Sequence, residues 1–239
     1  MYIQVITLFP GLFVEMLKTS MMRKAIEEQL VLVEVLSLRK FGLGKRQVVD
    51  DKPYGGGDGM ILRVDVLDEA IEFCRQSAQR KFGLDSRVIL LTPQGITYKQ
   101  ATCRQLAEQE SLVLVCGHYE GVDERIRDLA IDQEISIGDY VLTGGEIPAM
   151  AVLDSVIRLL PGVLSSPEAS LEESFEQGLL EYPHYTRPDI YKDQQVPQVL
   201  LSGHHAQVKA WREQQSLQRT QKRRPDLSLI HISEPTRPY

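Results

Sequence analysis

The chain has 239 residues, of which 43% are hydrophobic and 25% charged, a balance that suits a globular protein and excludes a disordered one. No apolar run approaches the ~20 residues that a bilayer demands, so no membrane partner is expected, and the net charge of −6 argues against a generally cationic, nonspecific nucleic-acid binder. Cys74, Cys103 and Cys116 match neither a disulfide framework nor zinc spacing, and read as reduced, buried thiols.

The opening Met1-Tyr-Ile-Gln-Val-Ile-Thr-Leu-Phe-Pro10 carries neither a basic leader nor a cleavage signature and alternates like a strand, which points to a cytoplasmic protein. A strand over 3–8 is followed by a helix over 13–29, a strand over 31–37 and a helix over 66–80. Then come a strand over 88–91, a helix over 98–109, a strand over 113–116 and a helix over 123–129. This alternation predicts an α/β domain with a mostly parallel sheet. A last helix spans 146–160, with Pro148 in its first turn, where the missing N–H is harmless, and Pro161-Gly162 ending it.

Residues 163–177 are rich in Ser, Glu and Pro and read as a linker. Residues 178–187 and an amphipathic stretch over 205–219, anchored by Val208, Trp211 and Leu217, suggest a small helical C-terminal domain. From Lys209 to Arg224 six basic residues face a single acid, Glu213, a patch suited to phosphate. The final residues, 228–239, are out of character and resemble a translated sequencing adapter. They are set aside as a non-native tail.

Three strand-like runs end in loops fit to meet a ligand. They are Thr92-Pro-Gln-Gly95, Cys116-Gly-His-Tyr-Glu-Gly-Val-Asp-Glu-Arg125 and Ser136-Ile-Gly-Asp-Tyr-Val-Leu-Thr-Gly-Gly-Glu146. Glycine is kept where the backbone is strained or closely approached, and loops at the carboxyl ends of neighbouring strands commonly build one site. A fourth loop, Tyr54–Met60, holds Gly55, Gly56, Gly57 and Gly59 but lacks the Lys-Ser/Thr ending of a P-loop, which disfavours nucleotide hydrolysis.

Together with Ile6-Thr-Leu-Phe-Pro10, Asp50-Asp-Lys-Pro-Tyr-Gly-Gly-Gly-Asp-Gly-Met60 and Pro183-His-Tyr-Thr-Arg-Pro188, these motifs closely resemble the bacterial tRNA (guanine-N1)-methyltransferases. That family acts on guanosine 37 and belongs to the SPOUT class. The resemblance runs from Met1 to about Leu227. Periodicity by itself leads only to an open α/β sheet, because knots are nearly absent from proteins. The resemblance implies instead a SPOUT-type domain over 1–162 with a deep trefoil knot around residues 90–153, a linker over 163–177 and a helical tRNA-binding domain over 178–227. It also implies a homodimer with the active site between subunits, tRNA as partner, S-adenosylmethionine as methyl donor and a dependence on Mg²⁺, for which no residue set has ligand spacing.

Carried over residue by residue, the resemblance assigns the donor pocket to Thr92, Pro93, Gln94, Gly117, Tyr119, Glu120, Gly121, Ile137, Gly138, Tyr140, Leu142, Gly144 and Gly145. The Tyr54–Met60 loop lies over it as a lid. Methylation at N1 requires that the N1 proton leave, so a base is needed. The family's Asp-Ser-Phe triplet reads Glu173-Ser174-Phe175 here, which makes Glu173 the implied base, with Glu172 beside it as a rival. Arg158 matches the arginine near guanine O6, where its fork would stabilise growing negative charge. Its alternative role is a surface ion pair with Asp154. Glu181, His184 and Arg187 match residues near the target nucleotide, and Arg39, Lys40, Lys45, Arg46 and the Lys209–Arg224 patch match backbone contacts. Two alternatives stay open: a SPOUT-type enzyme with another RNA target, and a protein that binds cofactor and RNA but is catalytically impaired.

Overall fold

The computed structural model describes residues 1–164, 173–176 and 178–228, and the chain divides into two compact units, Met1–Ser165 and Ser166–Tyr239.

In the first unit, five strands form one sheet: β1 (Tyr2–Thr7), β2 (Leu32–Ser37), β5 (Arg87–Thr97), β6 (Ser111–Cys116) and β7 (Gln133–Ser136). Their order is β2-β1-β6-β5-β7, and every pairing is parallel. Every residue of the central strands β1 and β6 is buried, as expected of a parallel sheet covered on both faces. Alternate side chains therefore feed two cores. Ile3, Val5, Leu112, Leu114 and Ile89 pack on one face with Met22, Leu106, Val152 and Val156. On the other, Ile6, Val113, Val115, Val88 and Leu90 pack with Val66, Ala70, Ile71 and Ile126. The first face is covered by α2 (Ser20–Glu27), α4 (Gln100–Ala107) and α6 (Glu146–Ile157), and the second by α3 (Val64–Phe82) and α5 (Arg125–Ala130).

Three elements depart from expectation. The single helix expected over 13–29 is split into α1 (Val14–Leu17) and α2: the Thr19 hydroxyl donates to the Glu15 carbonyl at 2.6 Å, and Ser20 takes φ 48°. A local side-chain bond of this kind competes with helix propagation. Strand β5 runs on to Thr97 rather than ending at Leu91. It pairs with β7 through Leu91, leaves register, and pairs again at Ile96 and Thr97. Strand β7 escaped the sequence reading because it is four residues long and begins with the polar pair Gln133-Glu134. A short antiparallel pair, β3 (Asp50–Asp51) with β4 (Ile61–Leu62), closes the base of the glycine-rich loop.

The second unit holds α7 (Gln198–Leu201), α8 (His205–Arg223), α9 (Pro225–Ser228) and a two-stranded ribbon, β8 (Ile190–Tyr191) with β9 (Gln194–Gln195). Residues 178–187, expected to help form the helical part, contain no helix. Pro183 supplies no N–H, and Pro188 disfavours helical φ/ψ at Arg187. On α8 the expected anchor Leu217 is exposed, and the fully buried residue is Thr220. Its Oγ1 accepts the Leu180 N–H at 2.8 Å and donates to the Ser216 carbonyl at 2.7 Å.

Candidate active site

At the carboxyl ends of β5, β6 and β7 lies a cavity of about 240 Å³, and all thirteen residues assigned above to the donor pocket line it. Two features hold its walls together. The loop after β6 and the loop after β7 pair as a short antiparallel ladder, with His118 opposite Gly144 and the Gly145 N–H donating to the Gly117 carbonyl at 2.7 Å. That approach needs glycine, since a Cβ on Gly145 would stand 2.7 Å from Cys116 Cα and 2.8 Å from the Gly117 nitrogen. Both obstacles are backbone, so neither can rotate away.

Where β5 leaves register, Gly95 rests on β7, and a Cβ there would meet the Glu134 carbonyl carbon at 2.5 Å. Tyr119 takes φ 60°, a conformation that non-glycine residues adopt mainly where surrounding structure enforces it. The glycine-rich loop docks on the same wall: the Glu120 N–H donates to the Met60 carbonyl at 3.0 Å, and the Leu62 N–H donates to the Gly121 carbonyl at 2.9 Å. Tyr54 stands fully exposed on that loop.

Several lining residues were not foreseen in the sequence. Arg127 of α5 donates to Glu134 and, at 2.8 Å, to Gln94 Oε1. His118 also lines the cavity, with its ring edge-on to Phe9 and Tyr119 and its Nδ1 buried without a hydrogen-bond partner among the described residues. Behind Gly144 lies Glu146, only 5% exposed, whose Oε1 accepts the Thr7 hydroxyl at 2.7 Å. The Cys116 thiol is pushed well above its ordinary pKa by burial and then by the Glu146 charge. No sequence signal marks the trio Thr7, Cys116 and Glu146, because its members come from β1, β6 and α6.

One assigned residue of the first unit is absent from the cavity lining. Arg158 caps the C-terminal end of α6, about 15 Å along the helix from the lining residue Pro148 at 1.5 Å per residue. It is half-buried, one turn beyond Ser155, whose hydroxyl is 2.7 Å from that of Tyr98. Glu173 is half-buried and belongs to the second unit, and its rival Glu172 lies outside the described residues. In that unit His184 Nε2 is 2.7 Å from Glu181 Oε1, the Tyr182 and His184 rings are 4.7 Å apart, and the Arg212 guanidinium lies 4.6 Å over Tyr182. Arg187 is exposed.

Comparison with known proteins gives the family of the chain. Residues 1–229 match the family model described as tRNA (Guanine-1)-methyltransferase TrmD. The chain belongs to this family. It is 50% identical over 228 residues to a tRNA (guanine-N(1)-)-methyltransferase of Pelotomaculum thermopropionicum, covering 95% of this chain and 89% of the relative. A protein of the same name from Brevibacillus brevis is 52% identical over 227 residues, covering 95% and 91%. Another from Moorella thermoacetica is 48% identical over 240 residues, covering 100% and 95%. Membership in this methyltransferase family implies S-adenosylmethionine as donor, and the cavity suits it: glycine-walled loops leave backbone groups exposed to a nucleoside, and a buried carboxylate stands behind them. Among the described residues no helix is long and apolar enough to cross a membrane.

Proposed function

We propose that this protein transfers the methyl group of S-adenosylmethionine to N1 of guanosine 37 in tRNA, next to the anticodon. The observation that carries the reading is the convergence of three chain segments on one glycine-walled cavity, in a chain of the tRNA (guanine-1)-methyltransferase family. The donor, when bound, supplies an electrophilic methyl carbon. Thr92, Pro93, Gln94, Gly117, Tyr119, Glu120, Gly121, Ile137, Gly138, Tyr140, Leu142, Gly144 and Gly145 hold it. The glycine-rich loop covers it and excludes water.

Glu173 takes the proton from guanine N1 and so frees the lone pair that attacks. Arg158 meets the negative charge that develops on O6. Glu181, His184 and Arg187 hold the target nucleotide, whose Watson–Crick edge is reachable once it is unstacked. The basic residues of α8 and Arg39, Lys40, Lys45 and Arg46 neutralise the RNA backbone. Mg²⁺ enters this reading as an implication of the family, and we assign it no ligand.

The working unit in this proposal is a homodimer with its active site between subunits, and the chain around residues 90–153 is threaded as a trefoil knot. Helix α6 supports the first point. It is apolar almost all round, yet Ile147, Ala151 and Asp154 are exposed and share one face with Arg158 at helical spacing. A helix of this kind is normally buried on every side. A second copy covering that face would bring Arg158 into a shared site. The second point rests on the family resemblance.

The deciding test is methyl transfer to a tRNA with G at position 37 against the same tRNA with A there, followed by nucleoside mapping. Transfer confined to the first substrate, yielding 1-methylguanosine, is expected. Equal transfer to both, or methylation elsewhere, refutes the reading. The glutamate at 173, standing where the family has aspartate, favours one other reading, a protein that binds both ligands without turnover. Cofactor binding without transfer, restored by Glu173→Asp, would establish it.

A further inference from the structure

Glu146 is the only Asp, Glu, Lys or Arg that is buried among the described residues, and the mechanism above gives it no role. A buried carboxylate without a cation beside it is costly. Among the described residues no Lys or Arg pairs with it. Its Oε1 is fixed by the hydroxyl of Thr7, itself fully buried at the end of β1, and the same Thr7 oxygen accepts the Phe9 N–H at 2.9 Å. As the first residue of α6 it lies at the positive end of that helix, which offsets part of the cost.

The other oxygen points toward the cavity wall. A Cβ built on Gly144 would collide with Glu146 Oε2 and would stand 2.6 Å from His118 Nδ1. The carboxylate and the unpartnered imidazole nitrogen thus flank one α-carbon, and both Gly144 and His118 line the cavity. A carboxyl group only 5% exposed and anchored through Oε1 thus sits immediately behind the wall of the donor pocket.

We propose that Glu146 is a charge selector, which favours the sulfonium cation of S-adenosylmethionine over the neutral thioether S-adenosylhomocysteine that remains after transfer. The two ligands differ by one methyl group and one positive charge, so contacts to adenosine and to the amino-acid moiety hold both alike. A fixed charge in a desolvated site attracts only the cation. Loss of the methyl removes the charge and with it the attraction, which favours exit of the spent cofactor. Glu146 touches neither reacting atom and acts as a specificity-determining residue.

This inference rests on the cavity being the donor site, and calorimetric titration of the intact protein with each cofactor separates the two claims. In Glu146→Gln, which preserves shape and the acceptor for Thr7, affinity for S-adenosylmethionine falls about tenfold while that for S-adenosylhomocysteine stays within about threefold. Glu146→Asp, which keeps the charge, retains most of the selectivity. Equal losses for both ligands, no loss, or identical behaviour of the Gln and Asp variants overturns the assignment. Should Glu146→Gln fail to fold, Thr7→Val decides: releasing Oε1 lowers the ratio of the two affinities at least about twofold, and an unchanged ratio overturns the proposal. Failure of either cofactor to bind the unaltered protein would instead refute the donor-site reading itself.

Discussion

Replacing Gly145 by alanine isolates the contribution of the ladder between the β6 and β7 loops. Gly145 sits at φ −79° and ψ 0°, which any residue can adopt, so the substitution adds no backbone strain of its own and acts only through the new methyl. That methyl meets Cys116 Cα at 2.7 Å, the Gly117 nitrogen at 2.8 Å and the Cys116 carbonyl carbon at 3.1 Å. All three belong to the backbone at the end of a fully buried strand. Relief requires the two loops to part, which costs about 1–3 kcal/mol of overpacking and about 0.5–1.5 kcal/mol for the Gly145 to Gly117 hydrogen bond. The first unit should lose roughly 2–4 kcal/mol in urea denaturation. Because Gly117, Gly144 and Gly145 all line the cavity, affinity for S-adenosylmethionine should fall at least about tenfold, or ~1.4 kcal/mol, by calorimetry. Gly83→Ala is the control: at φ 70° with nothing within 4 Å of its Cβ position, it should cost about 1 kcal/mol of left-handed strain and leave binding unchanged. Gly145→Ala with stability and affinity both near the unaltered values would refute the steric reasoning.

Glu173→Gln should abolish methyl transfer to tRNA while leaving cofactor affinity within a few-fold; retention of most activity removes Glu173 from the role of base. Burial opposes ionisation of Glu34, but hydrogen bonds from Lys81 at 2.5 Å and Tyr2 at 2.6 Å, with the Lys81 charge, outweigh it and hold the carboxyl below its usual range. Its contribution is therefore complete above the ordinary value of about 4.3 and is lost as pH falls through the depressed one. The stability gap between the unaltered protein and Glu34→Gln should be constant near neutrality and close in acid, and a gap that persists at the lowest pH tolerated by the fold contradicts this. Burial pushes the Cys74 thiol up to about 12 and raises Cys103 and Cys116 as well. A thiol reagent at mildly alkaline pH should label none of the three in the folded protein and all of them in denaturant; rapid native labelling would show that the sheet opens.

Much of the first unit was legible because its signals are local. The apolar runs in β1 and β6 mark strands buried on both faces, and Gly83 ends α3 in the left-handed conformation that glycine favours. The family was legible too, since long motifs stood in order. What escaped depends on partners distant in the chain. The β7 segment is a strand only because β5 pairs with it, and Arg127 lines the cavity only because α5 turns it toward Glu134 and Gln94. Glu146 looks like any acidic helix start until Thr7, 139 positions earlier, closes over it. On α8, Leu217 had the hydrophobicity of an anchor and Thr220 the position of one, and position prevailed because its hydroxyl bonds Leu180 and Ser216.

The pairing of β1 with β6 aligns Tyr2 with Ser111, so β1 is flanked on that side by a strand made more than a hundred residues later. At a synthesis rate of about 5–20 residues per second, the apolar N-terminal strand waits roughly 5–20 seconds on the ribosome before its neighbour exists. During that interval its edge is open to any other nascent chain, and late closure of so distant a contact slows folding. A circular permutant that synthesises Ser111–Cys116 next to Tyr2–Thr7 should shorten this exposure.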